Sequence, residues 1–203
     1  MIWNISILKG QNQNFSLFYM VLGGDENSFI PLANFIDSET SVLGLRGNIN
    51  ESGLNRFFKR LRPGVFDIEN LGEETKKLKT FIDSFIEEKG FKPQNTYLLG
   101  YSNGANILTS LLYHFGKVYG PIALMHPMIP LRNFKLTNQT NQKIIITSGL
   151  NDPMVSVNET DELLKILVEN GADVTHKVYR FEHDISDAEI TDVKLWFNQQ
   201  EAQ

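Results

Sequence analysis

The chain has 203 residues, 41% hydrophobic and 21% charged, which suits one ordinary globular domain spanning residues 1–203 with a sizeable core, and would be cramped for two. Its 19 basic and 24 acidic side chains leave a formal charge of −5, so an electrostatic grip on nucleic acid or on an anionic membrane surface has little support. Cysteine is absent, which excludes a disulfide framework, a thiolate metal site and a cysteine nucleophile together.

The N-terminal stretch Met1-Ile2-Trp3-Asn4-Ile5-Ser6 has no basic segment followed by an apolar one, and residues 3–8 carry a weak strand signal. A strand is expected at 15–22. It contains the longest uninterrupted apolar run, Leu17 to Leu22, whose six residues fall far short of the roughly 20 a membrane helix needs, so a cytoplasmic protein without membrane insertion is expected. A second strand is expected at 41–45. Leu78, Phe81, Ile82, Phe85 and Ile86 then recur at three and four residues, predicting a helix over 71–89 that Gly90 is placed to end. Strands at 96–99, 121–125, 143–147 and 174–179 alternate with helices at 104–115, 156–170 and 186–198. Asn70 with Glu73, Ser156 with Glu159 and Ser186 with Glu189 have the spacing of capping boxes. The polar residues 132–142 read as an exposed loop. Short β-rich runs alternating with helical segments predict an α/β fold: a mainly parallel, twisted sheet covered by helices on both faces.

The sharpest local signal is Gly100-Tyr101-Ser102-Asn103-Gly104, between a predicted strand and an apolar helix. In that context a strand turns abruptly into a helix, the serine is held strained with its hydroxyl presented, and the flanking glycines avoid clashes. The helix beginning at Asn103 aims its free N–H groups at any oxyanion formed there. The competing reading of Ser102 is a plain helix cap.

A serine nucleophile needs a base, and the base needs an acid. In folds of this kind catalytic loops gather where strands end at their carboxyl edge. That criterion selects His183, after the last predicted strand, and Asp152, in Asn151-Asp152-Pro153 beyond the strand at 143–147. His126 follows the strand at 121–125 and stays open as an alternative base or a residue lining the site. His114 and His176 fall inside a helix and a strand. Glu182, Asp184 and Asp187 rank below Asp152, because neighbouring loop side chains seldom converge on the ring nitrogen. The chain order Ser102, Asp152, His183 is that of α/β-hydrolases.

Stabilising a tetrahedral intermediate takes two donors, here the backbone N–H of Asn103 and one from the loop Met20-Val21-Leu22-Gly23-Gly24-Asp25-Glu26-Asn27. With Gly23-Gly24-Asp25-Glu26-Asn27, Arg46-Gly47-Asn48, Arg56-Phe57-Phe58, Gly64-Val65-Phe66-Asp67, the serine motif continued to Ile107, His126-Pro127-Met128 and Asn151-Asp152-Pro153, nearly the whole chain resembles the lidless carboxylesterase/phospholipase family of α/β-hydrolases, in particular its bacterial branch linked to methylhydroquinone stress. The resemblance implies an α/β-hydrolase fold without a lid domain, a triad of Ser102, Asp152 and His183, and an oxyanion hole from the backbone of Leu22 and Asn103. Two positions depart from the family pattern. Met20-Val21 stands where the family has His-Gly, and Glu182 stands where it places glycine before the catalytic histidine.

With no inserted segment of about 50 residues or more, the cleft is expected to be open. Phe57, Phe58, His126, Met128, Ile129 and Met154 are candidates for an apolar acyl pocket, and the cations of Arg56-Phe57-Phe58-Lys59-Arg60-Leu61-Arg62 are expected to form a solvated, ion-paired face. Gly23-Gly24 lacks the Gly-Lys-Ser/Thr of a phosphate loop, and the histidines lack metal-ligand spacing, so no cofactor and no metal are expected. The expected activity is a serine esterase or thioesterase acting on a small molecule, with a homodimer left open. The alternative is a catalytically weak or inactive hydrolase-fold sensor that binds a ligand.

Overall fold

The computed structural model describes residues 3–10, 12–21, 26–27, 30–117 and 119–201. The carboxyl end of the strand expected at 15–22, at Leu22, lies outside the described residues, as do Gly23, Gly24 and Asp25.

In chain order the elements are β1 (Asn4–Leu8), β2 (Asn12–Val21), α1 (Ile30–Ile36), β3 (Thr40–Arg46), β4 (Ile49–Glu51), β5 (Leu54–Arg56), β6 (Arg60–Arg62), β7 (Val65–Phe66), α2 (Ile68–Lys89), β8 (Thr96–Tyr101), α3 (Asn103–Phe115), β9 (Ile122–Met125), β10 (Lys143–Gly149), α4 (Val157–Glu169), β11 (Asp173–Tyr179) and α5 (Asp187–Glu201). Seven strands form one sheet in the order β1-β3-β2-β8-β9-β10-β11. Only the edge strand β1 runs antiparallel to its neighbour; the other six are mutually parallel. Two small hairpins, β4–β5 and β6–β7, stand apart from the sheet. Among the described residues no connection forms a lid domain.

The central strands are buried on both faces, so their side chains alternate between two cores. Leu43, Leu45, Leu98, Ile122, Leu124, Ile144 and Ile146 join Leu71, Leu78 and Ile82 of α2, Leu108 and Leu111 of α3, and Leu163 and Leu167 of α4. Val42, Tyr97, Leu99, Ala123, Met125 and Ile145 point the other way, onto Ile36 of α1 and Val193, Trp196 and Phe197 of α5. This period of two explains why β8 and β9 read as continuous apolar runs rather than as alternating ones.

Of the three expected capping boxes one forms in full and one only in half, the Glu159 carboxylate accepting from the Ile129 N–H rather than from that of Ser156. Ser156 accepts from the Glu159 N–H, and Ser186 and Glu189 cap each other's backbone N–H reciprocally. The third is corrected: α2 starts three residues earlier than expected, where the Asp67 carboxylate accepts from the Asn70 N–H, and Asn70 instead accepts from the Lys59 N–H of the adjoining hairpin. The stretch 132–142 is only partly an exposed loop. Gln139 and Gln142 are fully buried and donate to the carbonyls of Leu112 and Gly120, tying the stretch to the ends of neighbouring segments. The cationic run is likewise not one solvated face: Arg56 is buried and, with Arg60, pairs with Glu51.

Candidate active site

Four neighbouring parallel strands, β8, β9, β10 and β11, end at the same rim of the sheet, and the residues just beyond them are Ser102, His126, Asp152 and His183. The strand ladder therefore fixes how far apart these side chains start. Backbone bonds continue it past the strand ends, Ser102 N–H to the Met125 carbonyl and His126 N–H to the Thr147 carbonyl.

Ser102 occupies the turn between β8 and α3 with φ 52° and ψ −113°, outside the regions that L-residues ordinarily favour. Its side chain makes no capping bond to α3, so the plain-cap reading fails. The turn is possible because Gly100 has no side chain: a Cβ there would lie 2.6 Å from backbone atoms of Gly104. The Ser102 hydroxyl instead stands 2.8 Å from Nε2 of His183, whose Nδ1 is 2.6 Å from Oδ2 of Asp152. The other Asp152 oxygen accepts from the N–H groups of Met154 and Val155, which locks the carboxylate's orientation. Those bonds, with the ones from His183 and His126, hold the Asp152 carboxyl below its ordinary value even though burial pushes it up.

His183 is placed by three contacts. Phe181 and Glu182 cross over Gly149 so closely that a Cβ on Gly149 would lie 2.4 Å from the Glu182 carbonyl oxygen. The Asn151 N–H donates to the Phe181 carbonyl, binding the Asp152 loop to the His183 loop. Finally, the Tyr101 hydroxyl donates to the His183 carbonyl at 2.5 Å, and its ring lies 5.4 Å from the imidazole. Burial, with Asp184, Asp152 and Glu189 nearby, pushes the Tyr101 phenol up to about 12, so it remains a donor. Glu182 itself turns its side chain to solvent.

At the start of α3 the Asn103 N–H has no intrahelical partner and borders Ser102, as an oxyanion donor must. The Asn103 side chain is buried and accepts from the Phe57 N–H at 2.7 Å, holding the hairpin region against the serine turn. The second expected donor, Leu22, lies outside the described residues. Val21, in the place where the family pattern has glycine, is paired within the ladder opposite Arg46 and Tyr101, an extended backbone that suits a β-branched residue.

The expected pocket is partly corrected. Phe57 and Phe58 are both 0% exposed, Phe57 stacked on Trp3 and Phe58 edge-on to Phe66, so they belong to the core and offer a ligand no surface. Ile129 is buried too. His126 is 1% exposed and lies behind Asp152 rather than on a pocket wall; its Nε2 never faces the serine but the carboxylate of Glu189. Met128 is half-buried, held through its N–H by the Asn106 side chain, and Met154 is exposed. Leu150 and Phe181, which belong to no motif in the sequence, are also large, exposed and within three residues of Asp152 or His183. Glu189 carries only a capping signal in the sequence. A cleft of about 520 Å³ lined by Lys9, Ser41, Phe85, Lys89 and Phe91 sits at the opposite, amino-terminal end of the strands and holds none of this chemistry.

Among the described residues one group, His126, Asp152 and His183, brings potential metal-ligand atoms within 4.8 Å of one another. The same three residues bond one another through Nδ1 of both histidines and Oδ2 of Asp152, so an ion held by those atoms would displace the hydrogen bonds that orient His183. His114 and His176 are elsewhere; burial pushes both rings below the ordinary histidine value, and His176 bonds Ser148.

A family model described as Phospholipase/Carboxylesterase matches residues 66–200. The chain is 36% identical over 191 residues to MhqD of Bacillus subtilis (strain 168), covering 94% of this chain and 96% of that one. Its fold superposes with a TM-score of 0.94 on the crystal structure of the Bacillus cereus carboxylesterase, at 37% identity and covering 98% of this chain and 95% of that one. A carboxylesterase from Mesorhizobium loti matches with a TM-score of 0.90 at 26% identity, over 97% and 94% of the two chains.

Proposed function

Because the chain belongs to the phospholipase/carboxylesterase family, and is thus a carboxylesterase-type hydrolase on an α/β-hydrolase fold, we propose that it cleaves small carboxylic esters or thioesters through an acyl-enzyme on Ser102. In this reading His183 Nε2 takes the Ser102 proton as Oγ attacks the acyl carbonyl, and Asp152 holds the ring and supports the imidazolium that forms. The tetrahedral oxyanion is met by the N–H of Asn103 at the start of α3. On collapse the C–O or C–S bond breaks and the proton on His183 passes to the leaving group. A water then loses a proton to the same nitrogen as it attacks the acyl-enzyme, and on collapse the bond between the acyl carbon and Ser102 Oγ breaks, the proton on His183 returns to Oγ and the acid leaves. The acyl group is assigned to the exposed apolar side chains of Leu150, Met154 and Phe181, each two residues along the chain from Asp152 or His183.

One observation carries the reading: the Ser102 hydroxyl sits 2.8 Å from His183 Nε2 on a turn too strained to be kept for capping alone. The test is covalent labelling. A fluorophosphonate probe should add to Ser102, seen by mass spectrometry, and Ser102→Ala should lower turnover of chromogenic esters by several orders of magnitude. Ester turnover unchanged in Ser102→Ala would refute the proposal; no adduct beside tight, reversible binding of an aromatic ligand would favour the sensor.

A further inference from the structure

His126 and Glu189 are both 1% exposed, and the proposed reaction uses neither. Burying a charged or polar pair beside an active site is costly, and apolar side chains of the same volume usually serve the core as well or better. Their geometry is specific. Nδ1 of His126 is 2.8 Å from Oδ2 of Asp152, the same oxygen that receives His183, and Nε2 of His126 is 3.4 Å from Oε1 of Glu189. A neutral imidazole has one N–H and one lone pair, so it would leave a lone pair facing one of these two carboxylates. Protons on both nitrogens place a donor at hydrogen-bond distance from Asp152 and a positive charge at ion-pair distance from Glu189. Two further features hold the ring in place. His126 follows β9 with φ 51°, a conformation uncommon outside glycine, and Glu189 is anchored from α5 by its reciprocal cap with Ser186.

We propose that His126 is a positioning residue: set between Asp152 and Glu189, it fixes the acid of the relay from the side away from the serine and draws off part of that acid's charge. This rests on the reading of Ser102, Asp152 and His183 as the triad. The charged groups facing the ring are Asp152 from the loop after β10 and Glu189 from α5; its other titratable neighbours are His183 at 5.1 Å between ring centroids and Tyr101 at 5.7 Å. The balance agrees with this placement. Burial disfavours charge on His126, but Glu189 and Asp152 together outweigh it and raise the ring above the ordinary histidine value. Asp152 then faces two N–H donors at one oxygen, and each weakens its hold on the other.

The experiment compares the full chain with His126→Asn and Glu189→Gln. Asparagine tolerates positive φ and keeps an amide donor near the Nδ1 position while removing the charge and the reach to Glu189; glutamine keeps the cap. The pH profile of kcat/KM for p-nitrophenyl butyrate is the first readout. In His126→Asn its acid limb should move up by about one pH unit, a loss of about tenfold on that limb with the plateau changed only a few-fold. Glu189→Gln should move it the same way by less. Histidine-selective ¹⁵N NMR is the second readout and does not depend on turnover: the His126 ring should carry protons on both nitrogens at neutral pH in the parent and lose one in Glu189→Gln. Superimposable acid limbs, a drop of equal size at every pH, or a neutral His126 ring in the parent would overturn the proposal while leaving the triad standing. A parent that turns over no ester and takes no fluorophosphonate on Ser102 would overturn both.

Discussion

His126 and His183 approach one carboxylate edge to face, their ring planes 78° apart, and both direct Nδ1 at Oδ2 of Asp152. Asp152 is therefore a junction: hydrogen bonds lead through His183 to the Ser102 hydroxyl, and on the other side His126 leads to the buried Glu189 carboxylate of α5, 3.4 Å from its Nε2. Any change at this oxygen reaches both histidines at once.

The first prediction rests on that junction. Asp152→Asn replaces an acceptor with a group that can be turned so that its NH₂ faces Nδ1 of His183, which favours the wrong tautomer of the base. In the Ser-His-Asp template the corresponding change lowers kcat by about 10⁴-fold. A fall of about 10³–10⁴-fold in kcat for a chromogenic ester is expected here, with KM little altered. Because the same substitution also strips the buried His126 of an ionic partner, urea denaturation should show a loss of stability as well. A variant with a kcat within tenfold of the parent would remove Asp152 from the triad.

Stability should depend on pH in two windows of opposite sign. The folded Asp152 carboxyl lies below its ordinary value, so its contribution is present above the unfolded value and is lost as pH falls through the lower, folded one. The folded His126 ring lies above its ordinary value despite burial, so its contribution is complete below about pH 6.5 and is lost as pH rises through the higher, folded value. Urea titrations of the parent and His126→Asn should therefore diverge more at about pH 5.5 than at about pH 9. An equal difference at both pH values would mean that the ring carries no extra proton in the folded state.

Gly149 offers a test of how tightly the base is placed. A methyl group there would lie 2.4 Å from the Glu182 carbonyl oxygen and 2.6 Å from that of Phe181, both backbone atoms of the segment that carries His183. Gly149→Ala must therefore push that segment outward, and the segment is the one that brings Nε2 to the Ser102 hydroxyl. Displacing a catalytic group by about 1 Å costs on the order of 10²-fold in rate. A fall of about that size in kcat/KM is expected, in protein that remains folded by circular dichroism, since β10 is paired on both sides.

Much of this site is legible in the sequence because each of its groups sits one to five residues past an expected strand. Ser102, His126, Asp152 and His183 stand just beyond the strands expected at 96–99, 121–125, 143–147 and 174–179, and parallel order then brings them to one rim. Position after a strand does not reveal depth. His126 and His183 have the same sequence context, yet one is buried between the acid and Glu189 of α5 and the other is carried to the serine by the segment crossing Gly149. Glu189 shows the same limit: three residues after Ser186 it has the spacing of a cap, which it is, while its second oxygen meets a histidine 63 positions earlier. Phe57 and Phe58 look like loop hydrophobes because β4 to β7 are strands of two or three residues, too short for any periodicity to show. For α1 the same reason holds, at seven residues with a proline in its first turn.

The last prediction concerns Tyr101, which occupies a variable position of the serine motif. Its hydroxyl donates to the His183 carbonyl, and the phenol stays protonated to about pH 12, so the bond persists across the working range. Tyr101→Phe removes the donor and leaves a carbonyl without it, at a net cost of about 1 kcal/mol. For a chain of this length that corresponds to about 2–4 °C in Tm. The segment carrying His183 would then lose one of its backbone anchors while keeping the Asn151 to Phe181 bond, so kcat should fall more than KM rises. A calorimetric scan paired with ester kinetics separates the two effects. If Tm drops while kcat is unchanged, Tyr101 steadies the fold and has no part in aiming the base.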